Sequence, residues 1–112
     1  MHVAITGGAT GIGAATIAKL KAAGATVDAF DIAEPAGADR WVKVDLSDPA
    51  SITAALAEAE GPYDVLLNNA GIPPREAPDW AELVLKINYM GFRMFHEGML
   101  DRLATGARIR FR

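Results

Sequence analysis

A glycine-rich turn between an apolar strand and a helix is the feature that most limits how this chain can fold. The run Thr6-Gly7-Gly8-Ala9-Thr10-Gly11-Ile12-Gly13 follows Val3-Ala4-Ile5, which is typical of a short buried strand. Glycines permit a tight turn and let a ligand approach the backbone closely, because no Cβ intervenes. The N-terminus of the next helix presents unpaired N–H donors and the positive end of its dipole, which favour an anion. The turn therefore predicts a site for a dinucleotide pyrophosphate.

Strands and helices alternate along the rest of the sequence. Gly24 ends the first helix, and Asp48 before Pro49 is typical of the start of the second helix. Such alternation forms a parallel sheet with right-handed crossovers, so we expect a single α/β domain with a doubly wound parallel sheet. The predicted elements after the first helix are strands at 26–31, 41–45, 63–67 and 107–112, a loop at 33–40, and helices at 49–60 and 79–103.

Asp31 is the first of several polar residues that follow a predicted strand. Its carboxylate can accept both ribose hydroxyls of an adenosine, a contact of about 1.5–3 kcal/mol, and would repel a 2′-phosphate. Ile32 and Ala33 come next and Thr10 stands in the turn, so none of these residues offers a base for that phosphate. The sequence thus favours NAD over NADP. The alternative is that Asp31 only ends a strand.

Two further groups stand where strands end. Asp45, followed by Leu46, could accept from an adenine amino group, but Asp45 also suits a strand-to-helix turn with Ser47. Asn68-Asn69-Ala70-Gly71 carries amides that can pair with neighbouring backbone, and Gly71 lets the chain pass close to a ligand. The alternative for this run is an ordinary turn. Because the carboxyl ends of parallel strands share one edge, we expect these groups to meet there.

Composition narrows the functional classes. The chain has no cysteine, which excludes disulfides and thiolate metal sites, and we predict no metal site. We find no apolar run of membrane length and no leader-like start, so we expect no targeting segment, no membrane partner and a cytoplasmic location. Four arginines and no acid lie in residues 102–112, yet aromatic stacking platforms are lacking, so we expect no nucleic-acid partner.

The predicted helix at 79–103 is apolar on nearly all sides. Such a helix must be buried on more than one side, which favours self-association through this segment; ordinary core packing of one chain is the alternative. His96 lies in this helix without a ligand partner at useful spacing, and we interpret it as structural. The run Ala107-Arg108-Ile109-Arg110-Phe111-Arg112 alternates, which is typical of a half-exposed edge strand.

Taken together, these motifs resemble the classical short-chain dehydrogenase/reductase family. The resemblance covers Thr-Gly-x-x-x-Gly-Ile-Gly at 6–13, the acid at 31, Asp45-Leu46, Asn68 to Gly71, and Ile87-Asn88-Tyr89-Met90-Gly91. It implies strand order 3-2-1-4-5, NAD between strands 1 and 4, and hydride transfer between an alcohol or carbonyl substrate and the nicotinamide. The glycine run and the short loop are similar to the 3α-hydroxysteroid dehydrogenase branch. The implied roles are Gly7, Gly11, Ile12 and Gly13 at the pyrophosphate, Asp31 with Ile32 at the ribose, Asp45 and Leu46 at the adenine, Asn69, Ala70 and Gly71 towards the nicotinamide, and Asn88 as the tetrad asparagine.

The sequence departs from that family in its catalytic residues. The resemblance implies a serine at the end of the fifth strand and a Tyr-x-x-x-Lys on a helix after that strand. This chain has only Tyr63 and Tyr89 as tyrosines, followed four residues later by Leu67 and Arg93. We therefore expect the cofactor-binding half of the fold, ending after the fifth strand, as in a truncated or frame-disrupted gene product. The alternative function is a non-catalytic NAD-binding or interaction module.

Overall fold

A computed structural model describes residues 1–73 and 75–111. The five strands form one parallel sheet in the order β3-β2-β1-β4-β5, as predicted. A π-helical turn, Lys86–Gly91, joins α3 to α4, and a 3₁₀ turn, Leu100–Arg102, follows α4. The strands are β1 (His2–Thr6), β2 (Thr26–Asp31), β3 (Arg40–Lys43), β4 (Tyr63–Asn68) and β5 (Leu103–Phe111), and the helices are α1 (Gly11–Ala22), α2 (Pro49–Glu58), α3 (Trp80–Leu85) and α4 (Phe92–Met99).

Helices cover both faces of the sheet. β1 is buried on both sides, because Val3 and Ile5 face α1 while Ala4 faces the opposite layer. Ile17 of α1 fills the first layer. The second layer contains side chains from α2, α4 and the strands: Phe30, Val42, Ile52, Tyr63, Leu66, Phe95 and Met99. Alternate residues of each strand therefore serve different layers, which is the doubly wound arrangement expected from the sequence.

Three predicted boundaries differ from the structure. The third strand was expected to reach Asp45, but β3 ends at Lys43, since the Asp45 carboxylate forms a turn with Ser47. The helix predicted at 79–103 is helical from Trp80 to Arg102, but the π-helical turn interrupts it. β5 begins at Leu103 rather than at 107; Arg112, the predicted last residue, lies outside the described residues.

β5 is the edge strand that its alternation predicts. Its paired part aligns Arg108 to Phe111 with Val65 to Asn68 of β4, after an irregular stretch with Gly106 at φ 79°. Arg108 and Arg110 are exposed. Charged side chains on an edge strand oppose pairing with other sheets. Among the described residues, no helix combines the length and the apolar character that a membrane crossing would need.

Candidate functional site

The glycine turn packs directly against the segment that follows β4. A Cβ on Gly13, the third residue of α1, would collide with the carbonyl oxygen of Gly7, so this position requires glycine. A Cβ on Gly7 would stand 2.8 Å from the Cα of Ala70, and Gly7 has φ +73°. The side-chain amide of Asn69 donates to the Gly7 carbonyl oxygen at 2.8 Å. These contacts place the turn at the junction of β1 and β4, where the strand order reverses.

The first turn of α1 faces open space. Gly11 has φ +58°, in the left-handed region that favours glycine, and a Cβ built on it meets no described atom within 4 Å. Thr10 is the N-cap residue, and its side chain forms no capping hydrogen bond to the described part of the helix. Ile12 is 58% exposed. The N–H groups at the start of α1 are therefore available to an external acceptor, as an anion site requires.

Asp31 connects the end of β2 to the glycine turn. Its Oδ2 accepts a hydrogen bond from the Ala9 N–H at 2.8 Å, and its Oδ1 accepts from the Ala33 N–H at 3.3 Å. The Trp41 indole N–H donates to the Asp31 carbonyl oxygen at 2.9 Å. Asp31 thus does more than end a strand, because it holds the glycine turn, and its half-buried side chain also faces the cavity described next.

A cavity of about 530 Å³ opens at the carboxyl edge of the sheet. Its size is that of an ordinary small-molecule site. Gly13, the one predicted cofactor residue that does not line it, lies beneath the turn and supports Gly7. The predicted residues that line the cavity are Gly7, Gly11, Ile12, Asp31, Ile32, Asp45, Leu46, Asn69, Ala70 and Gly71. The fold therefore brings residues from four connections to one place.

Asp45 is held mainly by its own turn. Its Oδ1 accepts from the backbone N–H of Ser47 at 2.9 Å and from the Ser47 hydroxyl at 2.6 Å. Its own backbone N–H donates to the Ser51 hydroxyl at 2.9 Å. This is the strand-to-helix turn that was the alternative interpretation of Asp45. The carboxylate still lines the cavity, next to Leu46.

Thr6 fixes the segment after β4, a role that the sequence analysis missed. The buried Thr6 hydroxyl oxygen accepts from the N–H groups of Asn69 at 3.2 Å and Ala70 at 3.0 Å. The threonine that begins the turn motif thereby aligns the next strand's connection with the glycine turn. Its position in that motif was the available signal, but its partners lie more than 60 residues away in sequence.

A second cavity, of about 560 Å³, adjoins the first. The two cavities share the wall formed by residues 69–72. Asn88 lines the second cavity and holds Ile72 on both sides: its Oδ1 accepts from the Ile72 N–H, and its Nδ2 donates to the Ile72 carbonyl oxygen, each at 2.8 Å. Asn88 lies in the π-helical turn, and a Cβ on Gly91 at the end of that turn would collide with the Leu46 carbonyl oxygen.

His96 is structural, in agreement with its interpretation from sequence. Its Nδ1 lies 3.1 Å from the side-chain amide nitrogen of the buried Asn68, at the end of β4. Its ring centre lies 5.6 Å from that of Phe92 and 5.5 Å from that of Phe111. These contacts fasten α4 to the ends of β4 and β5. The described residues include no group of three His, Asp or Glu side chains arranged to hold a metal ion.

Neither tyrosine stands among the described residues that line the two cavities. Tyr63 is fully buried at the start of β4, and its hydroxyl donates to the Asp28 carboxylate at 2.7 Å. Burial, followed by the hydrogen bond to Asp28, raises the pKa of Tyr63 well above its usual value. Tyr89 is 56% exposed on the π-helical turn. The structure therefore offers no tyrosine acid at the site within the residues it describes.

Comparisons of this chain with a family model and with individual proteins point to the same family. Residues 1–109 match the family model described as short chain dehydrogenase. A coniferyl-alcohol dehydrogenase from Pseudomonas sp. is 36% identical over 108 residues, covering 96% of this chain and 41% of that protein. A 3-alpha-(or 20-beta)-hydroxysteroid dehydrogenase from Mycobacterium bovis is 41% identical over 80 residues, covering 61% of this chain and 31% of that protein.

The similarity extends to a solved structure. A short chain dehydrogenase family protein from Francisella tularensis superposes with a TM-score of 0.88 at 28% identity, covering 98% of this chain and 49% of that one. The fold of this chain is thus that of this solved structure over nearly its whole length. This chain spans less than half the length of each of the three.

Proposed function

Because this chain belongs to the short-chain dehydrogenase family, we propose that its first cavity binds NAD(H) as the cofactor-binding part of an alcohol or carbonyl oxidoreductase. Members of this family generally bind nicotinamide dinucleotides. The observation that carries the proposal is the meeting of free helix N–H groups, the Asp31 carboxylate and the Asn69–Gly71 segment around one cavity. Each of these groups suits a different part of one dinucleotide.

The proposed contacts follow from the donors and acceptors at each position. The N–H groups around Gly11 and Ile12 would bind the pyrophosphate, because no Cβ or cap fills the space before them. Asp31 would accept from the ribose hydroxyls, while Leu46 and Asp45 would flank the adenine. The charge of Asp31 favours NAD over NADP, because a 2′-phosphate would meet a carboxylate.

The other end of the dinucleotide would extend along the shared wall towards the second cavity. When bound there, the nicotinamide supplies a hydride acceptor or donor for the carbon of an alcohol or carbonyl substrate. Asn88 would hold the wall in place through Ile72, and Phe92 would cover the apolar side of the second cavity. The sequence has no Tyr-x-x-x-Lys, so we propose that this chain alone binds cofactor with little or no turnover.

A fluorescence titration of the purified chain with NADH, with NADPH beside it, tests the proposal. We expect saturable binding of NADH that is about tenfold or more tighter than that of NADPH, the factor expected for one contact with a charged group. Binding of neither nucleotide would contradict the proposed function. Equal affinities for NADH and NADPH would support the site but contradict the role of Asp31 in the choice between the two cofactors.

Self-association through the helical segment 79–103 remains a separate proposal. Leu85, Tyr89 and Met90 are each more than half exposed on its α3 and π-helical part. An apolar patch of this kind favours contact with a second surface. Sedimentation of the chain and of a Leu85→Glu variant tests it: we expect an oligomer that the substitution dissociates, and a wild-type monomer would contradict the proposal.

A further inference from the structure

We propose that Trp80 is a positioning residue that sets the wall of the second cavity, and so the binding of the nicotinamide end. This inference rests on the proposed function. Trp80 is the first residue of α3, and its indole N–H donates to the Pro73 carbonyl oxygen at 2.8 Å. The Arg75 guanidinium carbon lies 4.7 Å from the centre of the indole ring, in a cation–π contact. The indole thus joins α3 to the connection after β4.

Two side chains fasten adjacent peptide groups of that connection. Asn88 holds the N–H and the carbonyl of Ile72, and Trp80 holds the carbonyl of Pro73. The bonds come from different helical segments, since Asn88 lies in the π-helical turn and Trp80 at the start of α3. The backbone at Ile72 and Pro73 is therefore held in one position from two directions.

The fastened residues form the wall that a dinucleotide would follow. Ile72 lines both cavities, and Pro73 lines the second. Residues around Asp31 and the glycine turn, which would bind the adenosine and pyrophosphate, lie in the first cavity. Loss of the bond from Trp80 would thus release a part of the wall that only the nicotinamide end would contact.

The chain contains a matched control, because its other tryptophan plays the same part at the opposite end of the site. The Trp41 indole N–H donates to the Asp31 carbonyl oxygen at 2.9 Å, next to the proposed ribose contact. AMP carries the adenosine common to both ligands and lacks the nicotinamide. A defect at Trp41 should weaken AMP and NADH alike, whereas a defect at Trp80 should weaken NADH alone.

The experiment compares NADH and AMP affinities of the wild-type chain with those of Trp80→Phe and Trp41→Phe. Phenylalanine keeps an aromatic ring and removes the N–H donor. We expect Trp80→Phe to weaken NADH binding about threefold to tenfold, the effect of one hydrogen bond, with AMP affinity unchanged. Trp41→Phe should leave the ratio of the two affinities as in the wild-type chain.

The other outcomes separate the inference from the proposed function. Unchanged NADH affinity in Trp80→Phe overturns the positioning role while the function stands. Equal weakening of NADH and AMP in that variant shows a general structural role and also overturns it. Failure of the wild-type chain to bind either ligand overturns the proposed function and, with it, the inference.

A second measurement does not require Trp80 to be replaced. With two tryptophans in the sequence, Trp41→Phe leaves Trp80 as the source of the single indole N–H resonance. We expect saturating NADH to shift this resonance and saturating AMP to leave it in place. An indole resonance that neither ligand moves, or that both move equally, contradicts a role confined to the nicotinamide end.

Discussion

At the carboxyl edge of the sheet, polar groups surround a cavity, whereas at the amino edge they contact one another. The amino edge holds the buried Asp28 carboxylate, which lies 2.7 Å from the Tyr63 hydroxyl, 3.2 Å from Nε2 of His2 and 3.9 Å from Nη1 of Arg40. The Tyr63 hydroxyl also accepts from the Glu60 N–H at 3.1 Å. The three partners of the carboxylate come from β4, β1 and β3, and the Glu60 N–H in turn holds the Tyr63 hydroxyl.

The carboxyl edge is built in the opposite way. Its hydrogen bonds, such as those of Thr6 and Asn69, fix backbone positions, while the first N–H groups of α1 remain open. A buried polar group without a partner is unfavourable, so the hydrogen bonds and ion pairs that the Asp28 carboxylate makes support stability. Donors left facing a cavity are suited to a ligand instead. The comparison therefore separates polar residues that hold the fold from those proposed to bind the cofactor.

The sharpest test of this separation is Gly13→Ala. The added Cβ would collide with the Gly7 carbonyl oxygen and stand 2.7 Å from the Asn69 amide nitrogen, so the turn would have to move. We expect NADH affinity to fall by more than about 100-fold, because several proposed hydrogen bonds from the turn to the cofactor would be lost and their factors in affinity multiply. Titration of the folded variant with NADH measures the effect.

Gly24→Ala is the matched control for that variant. Gly24 follows α1 at φ +87°, and its Cβ would meet no described atom within 4 Å. Alanine in this left-handed conformation costs about 1–2 kcal/mol of unfolding free energy. We expect that loss with normal NADH affinity in the folded chain. Equal NADH affinities of the Gly13 and Gly24 variants would show that the turn does not form the site.

Tyr63→Phe tests the amino edge. Removal of the hydroxyl leaves the buried Asp28 carboxylate without its shortest hydrogen bond, so we expect the free energy of unfolding to fall by about 1–3 kcal/mol. Urea denaturation measures this change. We expect the NADH affinity of the folded variant to stay within about twofold of wild type, because substitutions at distant sites usually act independently. A larger loss of affinity would mean that the two edges are coupled.

Asp31→Asn sharpens the comparison within the carboxyl edge, because asparagine keeps an acceptor for the Ala9 N–H and loses the charge. We expect NADH to bind about tenfold more weakly and NADPH to bind no more weakly than before. Parallel titrations with the two nucleotides measure the preference. Glu34→Gln removes a neighbouring exposed carboxylate and serves as the control. If Asp31→Asn and Glu34→Gln had equal effects, the preference for NADH over NADPH would arise from the overall negative charge and not from Asp31.

Local sequence predicted the carboxyl edge better than the amino edge, for a physical reason. The glycine turn and Asp31 lie within 25 residues, and a tight turn allows few residue types, so the motif indicates its geometry. Tyr63 and Asp28 are 35 residues apart, and each stands in a strand where the alternation of side chains gives no sign of its partner. The sequence therefore does not distinguish Asp28 from any other polar strand residue.

The other differences also arise from contacts that no local pattern encodes. The apolar spacing at 79–103 predicts a helix, but the π-helical turn depends on Gly91 packing against Leu46 of another connection. Strand β3 ends before Asp45 because the competing bonds to Ser47 form a turn. The candidate site was predictable as a set of residues, whereas Thr6 and Trp80 needed the structure to reveal their partners.

The smallest expected effect concerns pH and isolates the amino edge from the cavity. The pKa of Tyr63 is raised in the folded chain by burial and by Asp28, while an unfolded tyrosine titrates near 10. Above pH 10 the folded chain therefore retains the proton that the unfolded chain releases. The contribution of Tyr63 to the free energy of unfolding is thus fully present below pH 10 and decreases as the pH rises above it. At pH 10.5 the loss relative to neutral pH is on the order of 1 kcal/mol.

Urea denaturation of wild type and Tyr63→Phe at pH 7 and pH 10.5 measures the pH-dependent contribution of Tyr63 to the free energy of unfolding. Other groups that titrate in the range contribute equally to both chains, so the difference between their pH dependences belongs to Tyr63. Identical pH dependences of wild type and Tyr63→Phe would mean that Tyr63 releases its proton as readily folded as unfolded. In that case the Asp28 cluster would not be the buried network that distinguishes the amino edge from the open carboxyl edge.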